Sequence, residues 1–97
     1  MLTILDLEFN QAFSTDDFSY EVVPECRFEI IQIGAVKLDG AYNIVDEFSQ
    51  MIRPVLYPEI HPFVQKITGF RTSDFRNMPL FSDVYRDFRS FLGQDFT

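Results

Sequence analysis

Two carboxylates one residue apart, Asp6 and Glu8, close the stretch L-T-I-L-D-L-E-F-N at residues 2–10. Leu2, Ile4 and Leu5 precede them and Leu7 separates them, so the stretch reads as a short buried β-strand with both acids at its exit end. Alternate side chains of a strand share a face, which sets Asp6 and Glu8 together and Leu7 opposite. Their Cα atoms would stand roughly 6.5–7 Å apart, a span that two carboxylates can close over a metal ion. The same D-x-E triplet also occurs as a solvated acid pair at a strand terminus, and spacing alone leaves both readings open.

Other residues of chemical type are weaker candidates. His61 is the single histidine and stands just before Pro62 at the start of a short helical segment, where capping or a surface position accounts for it. Asp16 and Asp17 sit in the longest stretch without periodicity, Phe9–Arg27, and read as a solvated loop tip that leaves directly from the acid pair. Cys26 is the only cysteine, so it forms no intramolecular disulfide and suits a reducing, cytoplasmic setting.

The elements that must position these residues follow from periodicity. Phe28–Leu38 (FEIIQIGAVKL) reads as a strand with Ile31, Ile33 and Ala35 on one face and Ile30, Val36 and Leu38 on the other, which predicts a central strand covered on both sides. Gly34 within it marks a close backbone approach. Asp39-Gly40 signals a turn, and Ile44–Arg53 returns as an antiparallel third strand stopped by Pro54. A short helix then runs from Pro62 to about Thr68, with Gly69 past its end, and a turn capped by Thr72 or Ser73 follows. The last helix spans about Pro79 to Leu92. Phe81, Tyr85, Phe88 and Leu92 form its apolar stripe, supported by Val84 and Phe91.

Ninety-seven residues with 46% hydrophobic content and mean hydropathy −0.02 describe one small globular domain. Twelve Phe and no Trp ask for a substantial core. No apolar run approaches the roughly 18–20 residues of a membrane span, and the N-terminus lacks the basic region of a leader. The net charge is −7 and sits unevenly: residues 1–52 carry ten acids against Arg27 and Lys37, whereas residues 53–97 carry six bases against five acids. That distribution lacks the basic footprint of passive nucleic-acid binding and is more easily reconciled with a cation site in the N-terminal half, but solubility alone also accounts for it, so charge leaves the choice open.

With the order strand, long loop, hairpin and two helices in place, the chain resembles the first half of a DnaQ-like 3′–5′ exonuclease of the DEDD superfamily. The branch it is most similar to holds the sporulation-inhibitor KapD proteins and short-RNA-trimming exonucleases. The resemblance rests on L-D-L-E-F-N at 5–10, E-I-I-Q-I-G-A-V at 29–36, and Phe48, Ile52, Arg53 and Pro54. It continues through I-T-G-F at 67–70 and the Pro79, Phe81, Phe88 pattern. It implies an α/β, ribonuclease H-like fold, of which residues 1–97 are the N-terminal part: a three-stranded, mainly antiparallel sheet followed by two helices. It also implies a metal-dependent hydrolase that removes nucleotides from single-stranded 3′ ends of RNA or DNA, using two Mg2+ or Mn2+ ions. Asp6 and Glu8 match the first catalytic motif and would bind those metals. Phe9 and Asn10 would lie at the terminal 3′-hydroxyl, and Ile67, Thr68 and Phe70 would wedge against the terminal bases.

The family's second catalytic Asp, and its His followed by a final Asp, have no match within residues 1–97. The expectation is therefore an exonuclease half that is inactive alone, with the alternative of a non-catalytic interaction module derived from the same fold. In the family's sheet the first strand is central. With its outer neighbour missing, Leu2–Leu7 would offer an open edge to a second copy or to the missing half.

Overall fold

The computed structural model describes residues 1–12 and 27–93. Asp16, Asp17 and Cys26, raised above as candidates, lie outside the described residues. Three strands form one antiparallel sheet in the order β1 (Leu2–Gln11), β2 (Phe28–Leu38), β3 (Ile44–Met51). Two helices follow, α1 (Pro62–Thr68) and α2 (Phe81–Leu92), with a 3-10 turn at Thr72–Phe75 between them. This is the α/β arrangement expected from the sequence.

β1 is longer than the sequence suggests. It continues through Phe9 and Gln11, and a hydrogen bond from Ala12 N to Arg27 O extends the hairpin beyond the paired residues. Nor is it buried: Leu2, Ile4 and Leu5 are each half exposed. β1 pairs only with β2 among the described residues, so its outer edge carries no ladder, and α2 packs against β3 rather than across it. β2 is central, as its sequence requires, but only one face is fully covered. Ile31, Ile33 and Ala35 are buried, whereas Val36 is half-buried on the open face.

The core lies between that covered face and the helices. One cluster joins Ile31 to Ile60, Val64 and Phe75, with Met51 and Phe70 against it. The other joins Ile33 to Ile52 and Val84, with Leu7, Phe48 and Phe88 against it. β3 ends at Met51, two residues before the expected stop, but Ile52 N still donates to Ile31 O at 2.8 Å.

The β2–β3 turn places its left-handed residue at Tyr42 (φ 64°). Two local expectations change. Thr72 does not cap the turn it opens: its Oγ1 accepts from Ile60 N at 2.9 Å, and Asp74 caps Arg71 N at 2.8 Å instead. A Cβ built on Gly34 would stand 3.7 Å from Asp6 O, an ordinary contact, so no close approach requires glycine there. Gly69 does what the sequence asks of it, closing α1 at φ 78° with its N–H on Gln65 O at 2.8 Å.

Candidate active site

Asp6 pairs across the sheet with Gly34 and Glu8 with Gln32, in regular antiparallel register. Between Glu8 and Phe9 the register shifts by one residue: Phe9 pairs with Ile30, and Ile31 is left without a partner on β1. A bulge of this kind re-aims the side chains beyond it. The strand that carries the extra residue is β2, so the shift falls on Phe28, Glu29 and Ile30. Beyond it Asn10 pairs with Glu29 and is buried completely.

Asn10 spends its side chain on the segment that leads into α1. Its amide nitrogen donates to Tyr57 O and Glu59 O, both at 2.9 Å, and its Oδ1 accepts from His61 N at 2.9 Å. A buried amide that satisfies both donors and an acceptor on backbone groups is a structural clamp, and neither donor is free for a ligand. His61 in turn caps α1, its Nδ1 accepting from Phe63 N at 3.0 Å. That leaves it a capping residue, the role its place before Pro62 suggested.

α1 lies against β1, and a groove of about 220 Å³ opens between them. Glu8, Phe9 and Gln11 line it from β1, Phe28 from β2, and Phe63, Val64, Ile67 and Thr68 from α1. Four residues picked from the sequence, Glu8, Phe9, Ile67 and Thr68, are therefore gathered here. The Thr68 hydroxyl is engaged locally, donating to Val64 O at 2.7 Å and accepting from Phe70 N at 3.1 Å. Asp6 lines a separate, shallower hollow on the open sheet face with Gly34, Val36 and Glu47. Phe70 lies in neither: it packs on the first core cluster with its ring edge-on to Phe75, centroids 5.5 Å apart.

Two groove residues escaped the sequence reading. Phe28 and Phe63 are more than half exposed, and Phe28 meets Phe9 edge-on at 6.5 Å. The available signal for Phe63 was an aromatic ring beside the buried Val64 on a helix too short to bury both. Nothing in the sequence marks Phe28, because its place depends on the bulge.

Among the described residues no ion pair reaches Asp6 or Glu8. The one ion pair among the described residues joins Arg86 to Asp83 on α2, far along the chain from Asp6 and Glu8. The pair offers carboxylate oxygens only, the donor set of a hard divalent cation. Among the described residues no group of three or more His, Cys, Asp or Glu gathers to hold a metal, so the pair fits part of a coordination shell and not a whole one.

An exonuclease family model, RNase_T, matches residues 3–96. The chain belongs to this exonuclease family. Solved structures agree on the fold. A 3′-exonuclease in a structure of 3′-end specific recognition of histone mRNA stem-loop aligns with TM-score 0.74 and 23% identity, over 93% of this chain and 29% of that one. The nuclease domain of 3′hExo, a DEDDh family member, bound to rAMP, aligns with TM-score 0.71 and 20% identity, over 98% and 49%. Cell-death related nuclease 4 (CRN-4) aligns with TM-score 0.68 and 23% identity, over 98% and 33%. The chain thus spans half or less of these exonuclease-family structures. A comparison with curated proteins gave no match.

Proposed function

We propose that this chain supplies the first metal-binding strand and one wall of the substrate groove of a 3′–5′ exonuclease acting on single-stranded 3′ ends of RNA or DNA. The observation that carries the reading is the groove itself. It brings Glu8 and Phe9 from the first strand together with Ile67 and Thr68 from a helix distant in sequence. Its exposed rings, Phe9, Phe28 and Phe63, suit stacking against bases, worth roughly 1–3 kcal/mol per base. The structural relatives point the same way, one with a histone mRNA stem-loop and one with rAMP.

In this reading Asp6 and Glu8 hold Mg2+ or Mn2+, which when bound stabilise the attacking and leaving oxygens of a phosphodiester displacement. Phe9, Phe63 and Ile67 hold the terminal nucleotides, and the apolar walls exclude water around them. No described side chain stands ready to take the proton of an attacking water, since His61 is committed to its helix cap. The chain by itself is therefore expected to bind ends without trimming them.

The test measures binding of 5′-fluorescein single strands, RNA and DNA, in Mn2+, with the 3′ end either free or phosphorylated. Preference for the free 3′-hydroxyl, weakened by Asp6→Ala and by Phe63→Ala, is expected. Indifference to the 3′ end or to Asp6→Ala overturns the reading. Trimming that disappears with Glu8→Gln would show that the chain completes a site. A non-catalytic interaction module built on the same fold would instead capture its partner without regard to Mn2+ or Glu8→Gln.

A further inference from the structure

The rung of the β1–β2 ladder just past the bulge pairs Asn10 with Glu29, and both side chains reach the same segment. Glu29 receives three backbone N–H groups: Val55 N at 2.7 Å and Leu56 N at 3.0 Å on Oε2, and Tyr57 N at 3.0 Å on Oε1. Asn10 continues along the chain at Tyr57 O, Glu59 O and His61 N. Six hydrogen bonds from one rung thus fix residues 55–61, and the last of them holds the backbone of the residue that caps α1. Chain outside regular structure needs partners of this kind for its backbone groups, and a carboxylate on three N–H groups is among the stronger ones.

We propose that Asn10 and Glu29 are positioning residues that set α1, with Phe63, Ile67 and Thr68, at its distance from Glu8 and Phe9, and so set the width of the groove. The role rests on the exonuclease reading above. It differs from the one that the family resemblance implies for Asn10, which is contact with the 3′-hydroxyl. The geometry favours the clamp: Asn10 is wholly buried, and its donors are spent on carbonyls. Phe63 and Ile67 sit on a seven-residue helix whose one buried side chain, Val64, packs on Ile31 and Phe75, so the segment before it is its second anchor and the one tied to β1.

The test compares Asn10→Asp, Glu29→Gln and, as a control, Val84→Ala, which removes a buried contact under α2 away from the groove. Asn10→Asp turns the donor toward two carbonyls into an acceptor. Glu29→Gln keeps the shape and loses the charge. Affinity for a 5′-fluorescein RNA pentamer in Mn2+ is expected to fall about tenfold for Asn10→Asp, and less for Glu29→Gln, at a temperature where each is folded. Val84→Ala is expected to lower the melting temperature and keep the affinity. Amide hydrogen exchange at residues 55–68 should quicken in the two rung variants and not in the control. Unchanged RNA affinity in folded Asn10→Asp and Glu29→Gln overturns the proposal, and if Asn10→Asp does not fold, Glu29→Gln decides. Should the parent chain bind no RNA, the exonuclease reading fails while the exchange still decides the clamp: equal rates at 61–68 in parent and variants would remove it.

Discussion

Asp39 organises the β2–β3 turn with its own carboxylate, and Asn10 does comparable work for the 57–61 segment. One of these roles was legible in the sequence and the other was not. Asp before Gly between two apolar runs is a turn signal with a mechanism, since a short acid can accept from the backbone just ahead of it. In the structure Oδ1 accepts from Ala41 N at 2.8 Å and Asn43 N at 3.0 Å. The Asn43 N–H, then that of Ala41, hold the Asp39 carboxyl below its ordinary pKa, against a small opposing effect of burial. A folded-state value lower than the unfolded one stabilises at pH above the ordinary carboxyl value, and that contribution is lost as pH falls through the lowered one. The melting-temperature gap between the parent and Asp39→Ala should therefore be small and constant at neutral pH, and should narrow only in acid. A gap that stays constant into acid would separate the turn from the charge. Asn10 offered no such signal. An amide in D-L-E-F-N reads as part of the acid motif, and the backbone groups that claim it, at Tyr57, Glu59 and His61, lie far along the chain.

α2 shows what periodicity can and cannot place. Its existence, and its end at Gly93, follow from the apolar spacing and the glycine. Its rotation did not, because Phe81, Val84, Tyr85, Phe88 and Phe91 spread over more of the helix than one sheet can cover. The structure turns Val84, Phe88 and Phe91 inward. The Phe48 ring stands 5.5 Å from Phe88 and 5.6 Å from Phe91, and Lys37 Nζ lies over the Phe91 ring, 4.6 Å from its centroid. Phe81 and Tyr85 stack on each other at 5.7 Å and remain close to half exposed. Phe88→Ala is thus expected to cost about 2 kcal/mol in chemical denaturation, less than a wholly buried phenylalanine because its ring is only partly covered. Tyr85→Ala should stay within about 0.5 kcal/mol. Equal costs would mean that Tyr85 packs as firmly as Phe88, as the stripe of Phe81, Tyr85, Phe88 and Leu92 read from the sequence suggests. Phe75→Ala, by contrast, empties a fully buried site and should cost about 3–5 kcal/mol.

The described residues as a whole make a sheet with one face covered by helices and, among them, no partner on the outer edge of β1. The central place of β2 could be read from the apolar residues of Phe28–Leu38, and its antiparallel pairing with β3 from the turn signal at Asp39-Gly40. The exposure of β1 could not, since L-T-I-L is the pattern of a buried strand and what covers it lies elsewhere in space. Among the described residues nothing pairs with the outer edge of β1, and that edge with half-exposed Leu2, Ile4 and Leu5 invites another strand. Light scattering over a concentration series is expected to show association. Ile4→Lys, which sets a charge on that edge, should shift the mass toward the monomer, and a parent that stays monomeric at the highest concentration would remove the edge as an interface. The bulge between Glu8 and Phe9 has a consequence of another kind. It works as a frameshift inside β2: Gly34 and Gln32, the partners of the acids, are read in one frame and Glu29 in the next, with Ile31 as the extra character between them. Deleting Ile31 alone would restore a single frame. Glu29 would then turn from residues 55–57 to the acid face, and a third carboxylate would arrive beside Asp6 and Glu8 as α1 lost its tether.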